Sequence, residues 1–535
     1  MSSSLKDSLL RCLTEKSWLS EYALNAYAMR DIATWGICHG IGMYRDASDR
    51  INMQLAPIAA LPSPIPKRLY AQALSLSTPF GDLADRIACD FPWLQASLKS
   101  VCEVDDFTAK IMAMCERVYA DPTKAVSTDV RLYVLRSDYM IDSRPDQPQR
   151  LMQVELNTIA ASFAGLGQRV SALQRFAIRR LAEELYAKTD QASESASAAN
   201  VVQSVVDDIS PPNAPADNMA TAIAAAHTAY LRRRPIERGS GRRPAVLYMV
   251  PDNERNEIDQ RHLEFALYDT HGVTCRRSTF QDLADAIESG ALRILPDNPS
   301  ASTPLATPGR LVWQRGLDEV LELTVVYFRS GYAPPHLPDD RCWAAREVLE
   351  WSHAVKCPSG PAHLAGCKKV QALWCDPSTM DRFVPVCSRQ PLREVFAPQV
   401  DPSMAPKGEE VKDAIQHPEE WVLKPQREGG GNNLHGQDIV RTLTKGEGLS
   451  EYILMKKIRP PVLPSLVFDR TDTAELKAFV RPSLAELGIY SAKVMDGSEE
   501  VYNETLGHLL RSKDEGSNEG GVAAGFAVVD SLLLV

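Results

Sequence analysis

The apolar positions near the start of the chain recur at helix-like spacing. Leu5, Leu9, Leu10, Leu13 and Trp18 follow this period, as do Phe107, Ile111, Met114 and Val118, so the first part reads as helical. Around 131–136 the pattern changes to RLYVLR, a short β-rich run, and Met152 to Asn157 alternates like a second strand. From Phe163 to Tyr186 the chain reads as helix again. Residues 189–218, rich in Ala, Ser, Asp and Pro, read as a flexible surface insertion without chemistry of its own. Ala245–Val250 then has the apolar run of a buried strand, helical stretches follow near 255–268 and 279–288, and Leu323 to Phe328 gives a second strand. Strands alternating with helices predict a parallel, Rossmann-like unit between about 243 and 368, interrupted by a Pro/Ser-rich loop at 296–309. Beyond 370 come shorter β-like runs: WVLKP, EYILMKKI, AELGIYSAKV and GFAVVDSLLLV. The class is α/β with a strand-rich C-terminal portion.

Size and charge narrow this picture. A chain of 535 residues needs more than one structural unit, because single cores stop growing near ~250–300 residues. Lys and Arg number 59 against 69 Asp and Glu, a net charge of −10, which disfavours a non-specific nucleic-acid binder. An acidic chain that holds an anionic substrate must concentrate arginines in its cleft. The eleven cysteines, from Cys12 to Cys387, contain no CxxC pair, so neither a disulfide framework nor a zinc ribbon is expected. The first residues, MSSSLKDSLLRCLTEKSWL, lack a signal-peptide apolar core, and no apolar run reaches membrane-spanning length. A cytoplasmic protein without membrane partners is expected.

Three groups of residues carry candidate chemistry. In Lys424-Pro-Gln-Arg-Glu-Gly-Gly-Gly-Asn-Asn433, three glycines let backbone amides approach a polyphosphate, Lys424 adds positive charge after a strand, and Glu428 is a hard ligand for Mg²⁺. It is not a Walker loop, since GxxxxGK[ST] is absent. In the strand through Val154-Glu-Leu-Asn157, Glu155 and Asn157 share one face and could jointly hold a cation, although a solvated polar face explains the pattern in isolation. Arg136, Arg329 and Arg511 sit at expected strand ends or loops, where guanidinium forks suit carboxylates or phosphates.

The blocks QVELNTIAASFAGL, ERNEIDQR, VVYFRSGY, HAVKCPSG with HLAGCKKVQ, KPQREGGGNN, YILMKKI, AELGIY, GHLLRSK and EGGVAAGFAV occur in this order. Together they closely resemble eukaryotic glutathione synthetase, a homodimeric family of the ATP-grasp superfamily. The resemblance implies an ATP-grasp fold with an inserted Rossmann-like parallel-sheet substrate domain and a glycine-rich lid. It divides the chain into 1–242 (helical region and first part of the core, with the 189–218 insertion), 243–368 (substrate-binding domain) and 369–535 (core and lid, the lid at about 395–480). It implies ligation of γ-glutamylcysteine to glycine through an acyl phosphate, with ATP as co-substrate and Mg²⁺ as cofactor.

Residue by residue, the matching blocks make Glu155, Asn157 and Glu428 the magnesium ligands. Glu155, Lys368, Lys424, Glu428, Gly429, Gly430, Gly431, Asn432, Asn433, His435, Met455, Lys456, Lys457, Ile458, Glu486, Lys513 and Glu519 resemble the nucleotide site. Arg136, Ile159, Ala160, Ala161, Ser162, Glu254, Arg255, Asn256, Gln260, Arg329, Ser330, Gly331 and Tyr332 resemble the dipeptide pocket, and Arg511, Val522 and Ala523 the glycine end. Arg136, Lys368, Lys424 and Arg511 take the catalytic roles, steadying charge on the transferring group and the developing oxyanion. Three positions depart from the family pattern: Ala160 stands for a frequent Ser, His435 for Tyr and Lys456 for Glu. Two alternatives stay open: the same mechanism with β-alanine or another acceptor, or a catalytically silent nucleotide-binding relative.

Overall fold

Leu5, Leu9 and Leu13 are buried along one side of the helix Ser2–Thr14, and Ile111, Met114 and Val118 along the helix Asp106–Tyr119, as their spacing demands. In this computed structural model, residues 2–121, 124–188, 196–297, 306–316, 318–426, 432–468, 476–517, 521–522 and 525–535 are described. The chain is α/β with several sheets. The largest runs Ala527–Asp530, Glu499–Asp514, Ala478–Asp496, Val130–Asp142, Arg150–Asn157, every neighbouring pair antiparallel. Leu463–Phe468 adds to the first half of Ala478–Asp496. That strand is twice the length expected from AELGIYSAKV, because its first half is only part-buried and lacks a strong apolar alternation.

A second sheet has the order Cys275–Ser278, Arg242–Met249, Glu319–Phe328, Gly309–Arg315, Leu292–Pro296, with Val355–Cys357 beside the end of Glu319–Phe328. The expected parallel pairing holds for Arg242–Met249 with its two neighbours and for Val355–Cys357. It fails for Gly309–Arg315 and Leu292–Pro296, which run antiparallel, so the sheet is mixed. Only three residues, 316–318, join Gly309–Arg315 to Glu319–Phe328, and a connection that short can only reverse the chain. A three-stranded sheet of Gln399–Val400, Tyr452–Lys456 and Trp421–Pro425 carries its own small core with Val411, Ile439 and Leu443 from two covering helices.

The flexible insertion expected over 189–218 is corrected from 196 onward. Ala196–Ile209 is a helix, and Pro215–Arg233 a longer one. Val202, Val205, Val206 and Ile209 are buried against the same core as Leu5 and Leu9. Residues 189–195 lie outside the described residues. No described helix is long and apolar enough to cross a membrane.

The strand Val130–Asp142 shows how core and cleft are joined. Tyr133, Leu135, Tyr139 and Ile141 enter one core, and Val130, Leu132 and Val134 a second core on the opposite face. That second face then changes chemistry. After Val134 its next positions are Arg136 and Asp138, and Arg136 reaches the Ser162 carbonyl just ahead of the helix Ala164–Ala187.

Candidate active site

Arg136 pairs with Asn157 and Asp138 with Glu155 across neighbouring strands, so alternation brings four polar side chains onto one face. On the other side, Glu486 pairs with Arg511 and Leu484 with Lys513. Arg136 and Arg511 therefore lie within strands, where the sequence reading placed them at strand ends or loops. Sequence runs of this kind, half apolar and half charged, disguise a strand whose one face lines a cleft. The register slips between Asp138 and Tyr139, leaving Val154 as the extra residue. Its carbonyl accepts a hydrogen bond from Lys424 Nζ at 3.0 Å, which fixes that amine beside Glu155.

Asp138 is at the centre of this face. Its Oδ1 accepts from Arg136 Nε at 2.6 Å and its Oδ2 from Arg136 Nη2 at 2.8 Å. Oδ2 also accepts from Asn157 Nδ2 at 3.0 Å and from Arg511 Nη2 at 3.1 Å. Arg511 pairs in addition with Glu486. Arg136 Nη1 donates to the Ser162 carbonyl at 3.1 Å. Burial disfavours the charged form of both arginines, but Asp138 for Arg136, and Glu486 with Asp138 for Arg511, raise their pKa above the ordinary value. Glu155 is the reverse case. Burial would raise its carboxyl, yet Lys368, Lys424, Arg511 and Arg136 together hold it down to about 2.

Lys368 opens the short helix Lys368–Leu373, and its Nζ lies 3.6 Å from Glu155. Gln371 in that helix clamps the neighbouring strand: it accepts from Leu156 N at 2.7 Å and donates to Leu156 O at 3.2 Å. The helix thus holds Lys368 at a set height over Glu155.

These elements enclose a cleft of about 800 Å³. Of the residues expected at the site, Arg136, Glu155, Asn157, Ile159, Ala160, Ser162, Tyr332, Lys368, Lys424, Asn432, Asn433, His435, Met455, Lys456, Lys457, Ile458, Glu486, Arg511, Lys513 and Val522 line it. Ala160 does so with a backbone φ of 51°, a left-handed conformation uncommon for alanine. Lys456, one of the departures, directs its amine away to Asp413 at 3.0 Å and over the Trp421 ring, so the strand Tyr452–Lys456 is held without it entering the site's charge pattern.

Ala161, Glu254, Arg255, Asn256, Gln260, Arg329, Ser330 and Gly331 do not line this cleft. Arg329 is buried, 3.6 Å from Asp259, and donates to the Ala161 carbonyl at 3.2 Å. Asp259 in turn accepts from the amides of Phe163 at 2.8 Å and Leu166 at 3.0 Å, capping the helix that starts beside the cleft. Glu254 accepts from Gln260 at 2.9 Å and from the amide of Asn256 at 2.7 Å. This group braces the 159–163 loop from behind. Glu428, Gly429, Gly430, Gly431, Glu519 and Ala523 lie outside the described residues.

Sequence reading missed Asp138 and Asp259. Asp138 stands two residues after Arg136, so the alternation that paired Glu155 with Asn157 would have found it. Asp259 sits in the first turn of the helix Glu257–His271, where an acid reads as a partner of its own helix, and nothing local marks it as a cap for another.

The donor set fits a hard divalent cation. The residues around it hold the Glu155 carboxyl below its ordinary range, and because the Asn157 amide nitrogen faces Asp138, its carbonyl oxygen would be the atom left to a cation on that strand. Among the described residues there is no cluster of three or more His, Cys, Asp or Glu able to hold a metal ion.

Residues 24–534 match the family described as eukaryotic glutathione synthase, ATP binding domain. The chain is 34% identical over 498 residues to glutathione synthetase of Xenopus laevis, covering 92% of each. It is 34% identical over 493 residues to the chloroplastic glutathione synthetase of Solanum lycopersicum, covering 91% of this chain and 79% of that one. Against glutathione synthetase of Homo sapiens it is 33% identical over 485 residues, 89% of each. Among solved structures, a glutathione synthetase-like effector of Globodera pallida in its apo form superimposes with a TM-score of 0.67 over 95% of this chain and 97% of that one, at 19% identity, which shows a shared fold. With a match that runs nearly from end to end, the chain belongs to the eukaryotic glutathione synthase family.

Proposed function

We infer that the chain is an ATP-dependent carbon–nitrogen ligase that joins γ-glutamylcysteine to glycine, releasing ADP and phosphate. Its family membership supports this reading, and one observation carries it to the residues: Glu155, a half-buried carboxylate on the cleft wall, lies in the field of two lysines and two arginines. A site that must gather a triphosphate, a peptide carboxylate and an amino-acid carboxylate needs that distribution of charge. In an ATP-grasp arrangement of domains 1–242, 243–368 and 369–535, with the lid at about 395–480, Met455 to Ile458 would meet the adenine. Lys368 and Lys424 would hold the phosphates. Arg136, with Ser162 and Tyr332, would orient the dipeptide, and Arg511 with Val522 the glycine carboxylate.

The cysteinyl carboxylate oxygen attacks the γ-phosphorus and the bond to ADP breaks, giving an acyl phosphate. Glycine's amine then attacks the acyl carbon, phosphate leaves and the nitrogen loses a proton. Lys368 and Lys424 steady the transferring charge, and Arg136 and Arg511 the oxyanion. Mg²⁺ held by Glu155, Asn157 and Glu428 would supply further positive charge against the phosphates. The loop through Gly429, Gly430 and Gly431 would exclude water, which otherwise hydrolyses the acyl phosphate. A cytoplasmic homodimer completes the proposal.

An assay of ADP release tests it. Turnover that needs both γ-glutamylcysteine and glycine supports the ligase; preference for β-alanine would change the acceptor, and no turnover would make the chain a silent relative. One methylene is worth ~1–3 kcal/mol, so glycine should exceed β-alanine in kcat/KM by roughly 10- to 100-fold.

A further inference from the structure

We propose that Asp138 is a positioning residue for ligation, a carboxylate that sets Arg136, Arg511 and Asn157 in one arrangement. The inference rests on the ligase reading above. Asp138 is fully buried, and its two oxygens receive four donors: Arg136 Nε and Nη2, Asn157 Nδ2 and Arg511 Nη2. Enclosed by these four donors and without exposure to the cleft, it acts through its partners. The two-point contact fixes the plane of the Arg136 guanidinium and leaves Nη1 for the cleft wall at Ser162. The contact to Arg511 ties the arginine on a third strand to the same carboxylate.

The contact to Asn157 separates positioning from mere charge balance. One buried and one half-buried arginine need a counter-charge, and any acid could supply one. A neutral amide needs none. Facing a carboxylate, that amide must present its nitrogen, because its oxygen would meet a second negative oxygen. Asp138, together with the Arg136 carbonyl that accepts from the same nitrogen at 3.3 Å, therefore selects the orientation that leaves the Asn157 carbonyl oxygen as a cation ligand.

The opposite strand is shaped to the same end. At Gly488, which pairs with Asp138, a Cβ would come within 2.8 Å of both Arg136 Cδ and Asp138 Oδ1. The missing side chain leaves the room in which the fork lies flat across the sheet.

Two variants test this: Asp138→Asn, which removes the charge, and Gly488→Ala, which displaces the fork with every charge retained. For each, ADP release is measured against γ-glutamylcysteine, glycine and Mg²⁺ concentration, ATP binding is measured by titration calorimetry without metal, and folding by circular dichroism. Outer partners of this kind change affinity or activity by roughly 10- to 100-fold. Both variants are expected to lose that much kcat/KM for the two carboxylate substrates and to require more Mg²⁺, with metal-free ATP affinity within about two-fold of wild type. In an Arg511→Lys background the added effect of Asp138→Asn on the KM for glycine should shrink, because the two residues act as one unit. Substrate and metal requirements unchanged in folded Asp138→Asn would overturn the proposal. If Asp138→Asn fails to fold, Gly488→Ala decides: wild-type behaviour there overturns it equally. Failure of the wild type itself to release ADP would count instead against the ligase reading.

Discussion

Glu155 shows how much one residue's surroundings decide. Burial alone would favour its protonated form, but Lys368, Lys424, Arg511 and Arg136 bring its carboxyl to about 2. The folded value lies below the ordinary 4.5, so the stabilisation it brings is complete above the unfolded value and is lost as pH falls through the folded one. Wild type should therefore lose stability relative to Glu155→Gln between about pH 4.5 and 2, as read by urea unfolding across that range. A constant difference would mean that the lysines do not act on Glu155. At pH 7 the same variant should lose turnover by at least ~100-fold, since a neutral amide neither binds a cation as well nor balances the lysines. Glu155, Asn157 and Lys424 were legible in the sequence because each lies in a short segment whose spacing has a chemical reading, whereas Lys368 was named only through the resemblance to the family. Alternation could place Asp138 on the same face as Arg136, but its role shows only once other strands bring Asn157 and Arg511 to it.

Elements were legible where apolar periodicity is strong and misread where composition misleads. The helix Ala196–Ile209 resembles a linker in its Ala and Ser content, yet VVQSVVDDI places valines and isoleucine at helical spacing. These side chains close the core beneath the helices Ser2–Thr14 and Ala164–Ala187. Excision of 196–209 is accordingly expected to prevent folding, and Ile209→Ala to cost roughly 2–5 kcal/mol in chemical unfolding. Tolerance of the excision, with a normal melting transition, would return this stretch to the status of a connector. A second element-scale effect joins the mixed sheet to the cleft. Asp259 caps the helix Ala164–Ala187 and stands beside buried Arg329. Asp259→Ala leaves that guanidinium without its acid, which typically costs about 3–5 kcal/mol. Since the capped turn follows the Ile159–Ser162 segment, the KM for γ-glutamylcysteine should rise with little change in ATP binding. An unaltered KM would confine Asp259 to stability.

For the molecule as a whole, the α/β class and the alternation of strands and helices through the middle of the chain could be read from periodicity. Which strands run antiparallel, and which sheets meet, could not, because pairing partners lie hundreds of residues apart: Val130–Asp142 pairs with Ala478–Asp496. The consequence is a cleft made of separate bodies of structure. Glu155 and Asn157 come from the large sheet, Lys424 and Met455 from the three-stranded sheet, and Lys368 from the short helix between them. The three-stranded sheet has its own core of eight buried residues, too small to be strongly stable alone. A nucleotide that touches all three parts should fasten them together. At 100 times its dissociation constant, ATP adds about 2.7 kcal/mol to the stability of the state that binds it. That increment should concentrate in the weakest part, so hydrogen exchange should slow most in Trp421–Pro425 and Tyr452–Lys456 and least in Arg242–Met249, on the sheet that does not line the cleft. Lys424→Ala should bind ATP more weakly and lose most of this protection. Uniform slowing across all sheets, or none in Tyr452–Lys456, would show that the nucleotide does not bridge the three-stranded sheet to the strand carrying Glu155.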